Sequence, residues 1–337
     1  MAWQRVRGHD VLIEGFRRAV ARGRLAHAYL FTGPAGVGKR LFALELAKSL
    51  LCEKATEGGL QACDHCPSCV QVEAGTHPDF FTAARPHEAL EFPIDLMREL
   101  CQSFALKSAR GRGKVVLLDD ADDLNEESAN CFLKTLEEPP PRSVLILIGS
   151  TPDRQLQTIL SRCQVIRFAP LAPQLVEELV RADIEDAALR ARLVRLSAGS
   201  PGLAKELADP ALWEFRRGLL AGLAKTPINS VELARSWMAF VEEAGKESAA
   251  QRRRAQLVLR LIVDFLDDAL TVGMNGTPRR TEAEDRLGLE ALARRAGPDR
   301  LLEALERCLE ADRQIERRVQ LVLTLEGLMD VLGQKLS

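Results

Sequence analysis

The segment that most constrains the fold is a short apolar run followed by a glycine-rich loop and a helix-forming stretch. Glycines let the backbone curl so that several N–H groups face one point, and the helix that follows aims its positive end at the same place. The last loop residue, Lys39, supplies a mobile cation for outer phosphates. The run AHAYLFTG and the loop Gly33-Pro34-Ala35-Gly36-Val37-Gly38-Lys39 therefore predict a phosphate-binding loop after a buried strand.

The rest of the first half alternates between strand-like and helix-like segments. DFFTA, KVVLLDD and SVLILIGST have the short apolar pattern of buried strands, and helical periodicity lies between them. Such alternation predicts an α/β fold with a mostly parallel sheet covered on both faces. After Pro170 the periodicity is only helical. We predict a P-loop α/β domain at 1–170, a small helical lid domain at 171–208 and an all-helical domain at 209–337.

Composition excludes a strongly basic protein and a membrane span. The formal net charge is −2, so contact with nucleic acid requires a local patch or partner subunits. The first residues, MAWQRVRGHD, lack the apolar core of a signal peptide, and no apolar run reaches bilayer length. These features predict a cytoplasmic protein.

Two positions depart from a working nucleotide hydrolase. A P-loop normally continues with Ser or Thr, whose hydroxyl binds Mg²⁺, whereas this chain has Arg40, which has no acceptor. Asp119, at the end of a predicted strand, is placed to hold Mg²⁺ through water. Asp120 follows where a longer Glu usually activates the attacking water, so its reach is shorter. A solvated acidic turn is the alternative interpretation. The residues leave open whether ATP or ADP binds here.

Four of the eight cysteines fall within a short segment, at Cys52, Cys63, Cys66 and Cys69. Four thiolates can close a tetrahedral zinc site with no open position, which is the mark of a structural site. We predict structural Zn²⁺ in a module at 52–77. Redox chemistry at the C-x-x-C is the weaker alternative, and His65 and His77 are substitute ligands.

Four motifs carry a family resemblance. AHAYLFTGPAGVGK, KVVLLDDAD, TLEEPP and ILSRC resemble, in order and spacing, the bacterial clamp-loader AAA+ family over about residues 1–208. That family, part of the DNA polymerase III holoenzyme, loads ring-shaped sliding clamps onto primed DNA. The resemblance implies a C-terminal helical collar, gamma/tau motor and delta subunits as partners in a hetero-pentamer, and contact with the clamp and primer–template DNA through the complex. It also implies a zinc module at this point of the domain.

The resemblance assigns further roles. In Ser161-Arg162-Cys163 it implies an arginine finger that acts in trans on a neighbour's γ-phosphate, and it puts the sensor-1 position at Ser150 or Thr151. Motor members carry an arginine two residues after the Gly-Ser of the lid turn, where this chain has Gly202. With Arg40 and Asp120, three features of a self-contained site are altered while the finger is intact.

This combination predicts a stator subunit with weak or absent ATPase activity of its own. An active motor ATPase of the gamma/tau type is the alternative, and a zinc-dependent nucleic-acid-binding module is a third hypothesis. A basic cluster at Arg110, Arg112 and Lys114, with Lys107, is either a DNA-contacting patch or a solvated face.

Overall fold

All strands of the N-terminal half lie in one parallel sheet. The computed structural model describes residues 3–56, 58–86, 89, 91–280 and 285–337. Within them the strands pair in the order β2-β3-β4-β1-β5, each parallel to its neighbours. The strands are β1 (Ala28–Thr32), β2 (Phe80–Ala83), β3 (Val115–Leu118), β4 (Val144–Ile148) and β5 (Gln164–Arg167).

Helices cover this sheet and make up the rest of the chain. Those before and around the strands are α1 (Asp10–Ala21), α2 (Lys39–Leu51), α3 (Pro67–Glu73), α4 (Ile94–Ala105), α5 (Glu126–Glu137) and α6 (Gln157–Leu160). Those after the strands are α7 (Pro173–Val180), α8 (Ala187–Leu196), α9 (Pro201–Glu206), α10 (Pro210–Ala224), α11 (Ser230–Glu242), α12 (Ser248–Gly273), α13 (Arg286–Glu316) and α14 (Leu321–Leu336). The predicted fold class, an α/β domain with a parallel sheet followed by helical domains, is confirmed.

The sheet buries a separate core on each face because side chains alternate along a strand. Tyr29 and Phe31 of β1 pack with Phe16 of α1 and Phe42 of α2 on one side. The intervening Leu30 packs in the opposite core, to which α4 and α5 contribute. Both faces are covered, so the strands contain nearly continuous apolar residues.

Two elements carry no clear sequence signal. Strand β5 is only half-buried and its Gln-Val-Ile-Arg sequence has a single apolar pair, too short a pattern to predict a strand. Helix α3 begins with Pro67 inside the cysteine-rich segment. Residues 164–167 form strand β5 because their backbone pairs with β1, and this pairing depends on tertiary contact.

The chain divides into two compact units, of which the first ends at Lys205 and the second begins at Glu206. Helices α7 and α8 belong to the first unit. The domain boundaries at 170 and 208 stay predictions. In the second unit, α12, α13 and α14 pack together, and Trp237 of α11 is fully buried. Helix α13 is interrupted at Gly297, which precedes Pro298 and has a φ of 72°. No described helix is both long and apolar enough to cross a membrane.

Candidate nucleotide cleft, cysteine site and arginine finger

The glycine-rich loop connects β1 to α2 as predicted, and its glycines are conformationally required. Gly33, Gly36 and Gly38 have φ values of 138°, 76° and 103°. At Gly33 an added Cβ would also lie 2.3 Å from the carbonyl oxygen of Phe168. The loop is held from behind by His9, whose Nε2 donates to the carbonyl oxygen of Val37 at 2.9 Å. The backbone thus curls tightly at the N-terminus of α2, the arrangement that phosphate loops need.

A cleft of about 440 Å³ lies beside this loop. It brings the loop together with the ends of β3 and β4, where ligands bind in open α/β sheets. Ser150 lines the cleft at the sensor-1 position, whereas Thr151 begins the following turn and is exposed. The lining residues are Ala35, Gly36, Gly38, Lys39, Arg40, Leu41, Asp119, Asp120, Asp122, Ile148, Gly149 and Ser150.

Lys39 bonds to its own loop. Its Nζ donates to the carbonyl oxygens of Gly33 and, at 2.9 Å, Pro34. Burial lowers the pKa of Lys39, and the carboxylates of Asp122 and Asp119 oppose that shift. The ammonium is therefore a satisfied cation inside the cleft, and it must leave these carbonyls before it can contact a phosphate.

Arg40 forms an ion pair with Asp119, with Arg40 Nε 3.0 Å from Asp119 Oδ2. The two residues predicted as the departure from the P-loop pattern and as the Mg²⁺ carboxylate thus neutralise each other. A guanidinium cannot ligate a cation, and its charge repels one. In this structure a protein cation stands where a metal-binding hydroxyl would be expected.

The two following carboxylates differ in their roles. Asp120 has a left-handed backbone with φ 53°, and desolvation together with the charge of Asp119 raises its pKa. Asp122 has a structural role that the sequence did not indicate: its Oδ2 accepts from Ser150 N at 2.8 Å, and its Oδ1 accepts from Gln155 Nε2. Asp122 therefore joins the ends of β3 and β4. Asp122 is only one more acid, two residues after Asp120, and acidic runs of this kind are too common in sequences to have indicated this bridge.

The lid turn packs directly against the glycine loop. Ser200 Oγ donates to the carbonyl oxygen of Ala35 at 2.8 Å, and Gly202 N donates to the carbonyl oxygen of Gly36 at 3.1 Å. A Cβ on Gly202 would lie 2.8 Å from the Cα of Gly36. The position where motor proteins are expected to carry an arginine therefore has no room here for any side chain.

Arg162 does not line this cleft and lies just after α6. Its guanidinium donates through Nε to Glu137 Oε1 at 2.9 Å and through NH1 to the carbonyl oxygen of Thr158 at 2.9 Å. About a third of the side chain, 32%, is exposed, so a neighbouring molecule can reach it. The structure thus holds the predicted finger in a defined, accessible position on the chain's own surface.

The four clustered cysteines lie together at the junction of α2, the following loop and α3. The sulfur atoms of Cys52, Cys63, Cys66 and Cys69 all lie within 4.8 Å of one another, and Cys52 Sγ is 3.9 Å from Cys66 Sγ. A tetrahedral site with Zn–S bonds of about 2.3 Å places its sulfurs about 3.8 Å apart. The group can therefore hold a metal ion with no position left open. Although burial opposes it, hydrogen bonds from the backbone of His65 and Cys66 lower the pKa of Cys63 to about 6, which favours the thiolate.

Neither substitute ligand belongs to this group. His65 contacts the Cys63 carbonyl oxygen through Nδ1 and Lys54 Nζ through Nε2. His77 contacts Ser68 Oγ through Nε2 and accepts from Asp79 N through Nδ1. Both imidazoles are engaged elsewhere, and the donor set is the four thiols. Glu57, inside the predicted 52–77 module, lies outside the described residues.

Two arginines of the basic cluster before β3 anchor this cysteine-rich module, and its lysine bonds to α4. Arg110 NH1 pairs with Glu53, and its NH2 donates to Gln71 Oε1 at 2.7 Å. Arg112 donates to the carbonyl oxygen of Glu53 at 3.0 Å. Lys114 is buried and donates to the carbonyl oxygen of Ser103 at 2.8 Å. These contacts give the three cations structural partners within the chain.

On the other side of the module, the buried Lys48 of α2 is surrounded by carboxylates. Its Nζ lies 2.9 Å from Glu45, 3.1 Å from Asp64 and 3.1 Å from Glu73. Although burial opposes it, these carboxylates raise the pKa of Lys48. Because Asp64 lies between two of the cysteines, this network ties the module to α2.

Replacing Lys48 by methionine is expected to lower the free energy of unfolding by about 3 kcal/mol, because the buried Glu45 carboxylate loses its nearest cation and keeps only the exposed Arg5 guanidinium, 3.7 Å away. Urea denaturation of the metal-loaded protein measures the change. Arg5→Met is the matched control: Arg5 also contacts Glu73, at 2.6 Å, but its side chain is 55% exposed, so its loss should cost about 1 kcal/mol or less. Equal effects of the two variants would contradict the anchoring role of Lys48.

Comparison with known proteins agrees with the motifs and this geometry. The family described as DNA polymerase III, delta subunit, matches residues 8–172. The DNA polymerase III subunit delta' of Pseudomonas aeruginosa is 43% identical over 225 residues, which cover 64% of this chain and 67% of that protein. The subunit delta' of Escherichia coli is 33% identical over 271 residues, which cover 79% of this chain and 77% of that protein.

A motor-type relative matches over a shorter region. The DNA polymerase III subunit tau of Escherichia coli is 37% identical over 158 residues, or 46% of this chain and 24% of tau. The similarity to these two delta' proteins extends further, which does not favour the gamma/tau-type alternative. The chain belongs to the family of DNA polymerase III delta' subunits.

Proposed function

We propose that this chain completes the ATP site of a neighbouring motor subunit by supplying Arg162, while its own cleft hydrolyses little or no ATP. A planar guanidinium suits this task because it can engage two phosphate oxygens at once. Arginine fingers in other nucleotide hydrolases raise the rate by about 10³–10⁵. The exposure of Arg162 on the chain's surface supports its use in trans.

The single observation that carries the proposal is the Arg40–Asp119 ion pair, 3.0 Å long. Hydrolysis of ATP needs a metal ion that bridges the outer phosphates. Here the hydroxyl ligand is missing, and the carboxylate that would support the metal is neutralised by Arg40. The lid contact of Gly202 with Gly36 also leaves no space for a sensor arginine. An active motor ATPase would require the hydroxyl ligand, a free carboxylate for the metal and the sensor arginine, and this cleft lacks all three.

The cleft keeps the backbone geometry of a phosphate loop, and ATP or ADP is its natural ligand class. If a nucleotide is held there, the N–H groups of residues 35–40 and the ammonium of Lys39 would contact its phosphates. Bound nucleotide would then serve assembly rather than turnover. Ser150, which lines the cleft, would lie beside that nucleotide, whereas Thr151 lies outside the lining.

The partners follow from the proposed role. Relatives of this chain include proteins named tau and gamma subunits of DNA polymerase III. We infer that the chain assembles with a gamma/tau-type motor and a delta subunit in a hetero-pentamer through its C-terminal helices. The sliding clamp and primer–template DNA would be contacted through that complex, in the cytoplasm of the bacterium.

The cysteine site fits zinc as its metal. Thiolate ligands, a closed set of four and tetrahedral spacing favour Zn²⁺ over hard cations, which prefer oxygen. With no open coordination position, the ion would fold the module at 52–77 rather than take part in catalysis.

Reconstitution tests the proposal directly. A complex of motor and delta subunits is compared with and without this chain for DNA-stimulated ATP turnover and clamp loading. We expect the isolated chain to show no turnover above background and the complete complex to exceed the incomplete one in both assays. Robust turnover by the isolated chain would overturn the stator role.

A second prediction concerns the cleft itself. Arg40→Thr removes the positive charge, frees Asp119 and restores the hydroxyl ligand, so Mg²⁺ should tighten ATP binding at least about tenfold relative to the parent chain. Hydrolysis should still be absent, because Gly202 and Asp120 are unchanged. Equilibrium titration with a fluorescent ATP analogue, with and without Mg²⁺, measures the difference.

The control variant for this titration is Arg40→Lys, which keeps the charge. It should remain insensitive to Mg²⁺. If the parent chain binds Mg–ATP as tightly as Arg40→Thr does, then the Arg40–Asp119 pair does not exclude the metal.

A further inference from the structure

The finger arginine has a specific acidic partner on its own chain. Arg162 donates to Glu137 Oε1 through both Nε and NH2. Its other terminal nitrogen, NH1, donates to the carbonyl oxygen of Thr158 at 2.9 Å and to Ser161 Oγ at 3.2 Å. One edge of the guanidinium is thus bonded to a carboxylate, and the other terminal nitrogen donates hydrogen bonds to the C-terminal end of α6.

The count of donors shows what remains for a phosphate. A guanidinium has five N–H groups. Within the described residues, four of them are used in these contacts, and one on NH2 is left. A bidentate grip on phosphate needs two donors on the NH1–NH2 edge. It therefore requires the release of one of the two NH1 contacts, and the Glu137 contacts through Nε and NH2 can persist.

The location of Glu137 is itself unfavourable without the arginine. It is the last residue of α5, where the negative end of the helix dipole repels a carboxylate. Glu138 caps the C-terminus of the helix and Pro139 follows, so Glu137 lies in the last turn of α5. The Arg162 guanidinium compensates for that charge, and in return the carboxylate fixes the guanidinium.

We propose that Glu137 is a positioning residue for the arginine finger, an inference that rests on the proposed function of Arg162. By holding Nε and NH2, the carboxylate orients the plane of the guanidinium before the neighbour's nucleotide arrives. Less side-chain freedom is then lost when the phosphate is engaged, which is the general advantage of preorganisation. Glu137 touches neither nucleotide nor attacking water in this role.

The opposite interpretation treats Glu137 as a competitor that keeps the finger away from phosphate. The two interpretations predict opposite signs. Loss of a positioning contact lowers the turnover number of the complex, whereas loss of a competitor raises it.

The test uses complexes reconstituted with motor and delta subunits and carrying the parent chain, Glu137→Ala, Glu137→Gln, Arg162→Ala or the double variant. We expect Glu137→Ala to lower kcat for DNA-stimulated ATP hydrolysis at the completed site about tenfold, with KM for ATP changed less than about twofold. Glu137→Gln keeps one acceptor and should fall between alanine and parent. The double variant should match Arg162→Ala, because a positioning residue has no effect once the finger is gone.

Glu138→Ala is the matched control, since Glu138 is an adjacent exposed acid with no contact to the finger, and its complex should behave as the parent. Size-exclusion chromatography verifies assembly of each complex. An increase in kcat for Glu137→Ala, no change, or a further loss in the Arg162→Ala background would each overturn the inference. An unchanged rate for Arg162→Ala itself would instead refute the proposed finger, so the two failures are distinguishable.

Discussion

Replacing Arg162 by alanine is expected to abolish ATP turnover at the one site that this chain completes, with a fall of about 10³-fold or more in the rate at that site. The reason is that, in the proposed role, the guanidinium stabilises the charge that develops on the transferred phosphoryl group. Single-turnover hydrolysis by the reconstituted, DNA-bound complex measures the effect as the loss of one kinetic phase. Clamp loading should fall with it, while assembly stays intact.

Two further variants make this result specific. Arg162→Lys keeps the charge but loses bidentate geometry, so it should recover only a small part of the rate. Arg181→Ala removes an exposed arginine at the end of α7 and should leave the rate unchanged. A complex with Arg162→Ala that hydrolyses ATP in all its phases would show that no neighbour depends on this guanidinium.

Replacing Cys63 by serine is expected to release the metal ion and to loosen the cysteine-rich module. Three thiolates cannot close the tetrahedral site, and structural zinc sites supply roughly 10–16 kcal/mol of apparent binding free energy to small folds. Elemental analysis should show the loss of one zinc per chain. Hydrogen exchange should quicken across residues 52–77, but much less in β3 and β4, whose Val116, Leu118, Leu145 and Leu147 side chains pack in the opposite core.

Cys131→Ser is the control for the metal site. Cys131 is partly buried on α5, outside the cluster, and its replacement should leave zinc content unchanged. If Cys63→Ser retained a full zinc equivalent, the four-cysteine assignment would be wrong. If zinc were lost without faster hydrogen exchange in the module, the Lys48 and Arg110 contacts would be sufficient to keep the module folded.

In both the cleft and the proposed finger, the functional cations are bonded to acceptors of their own chain. Lys39 is bonded to loop carbonyls, Arg40 to Asp119 and Arg162 to Glu137. The first two pairs satisfy groups that a hydrolase would use on nucleotide and metal. The third leaves one guanidinium edge accessible. This pairing supports the proposals that the chain's own cleft is inactive and that Arg162 is an oriented donor at its surface.

The sequence by itself determined the local features. Strand β1, the glycine loop and α2 follow from a contiguous pattern, because the glycines need positive φ and the apolar run needs burial. The spacing of the four cysteines and the arginine at position 40 are also local facts. For the same reason the α/β class and the helical second half were predictable, whereas β5 was not, because its four residues form a strand only by pairing with β1.

The tertiary structure decided which side chains meet. Nothing in the sequence pattern indicates that Arg40 neutralises Asp119, that Gly202 lies against Gly36, or that Glu137 holds Arg162. Each of these contacts joins residues far apart in the chain, and each depends on the relative placement of a strand end, a turn and a helix end. Periodicity reports which face of an element is buried, but it carries no information about the partner of a polar side chain, so these pairings became visible only in the folded protein.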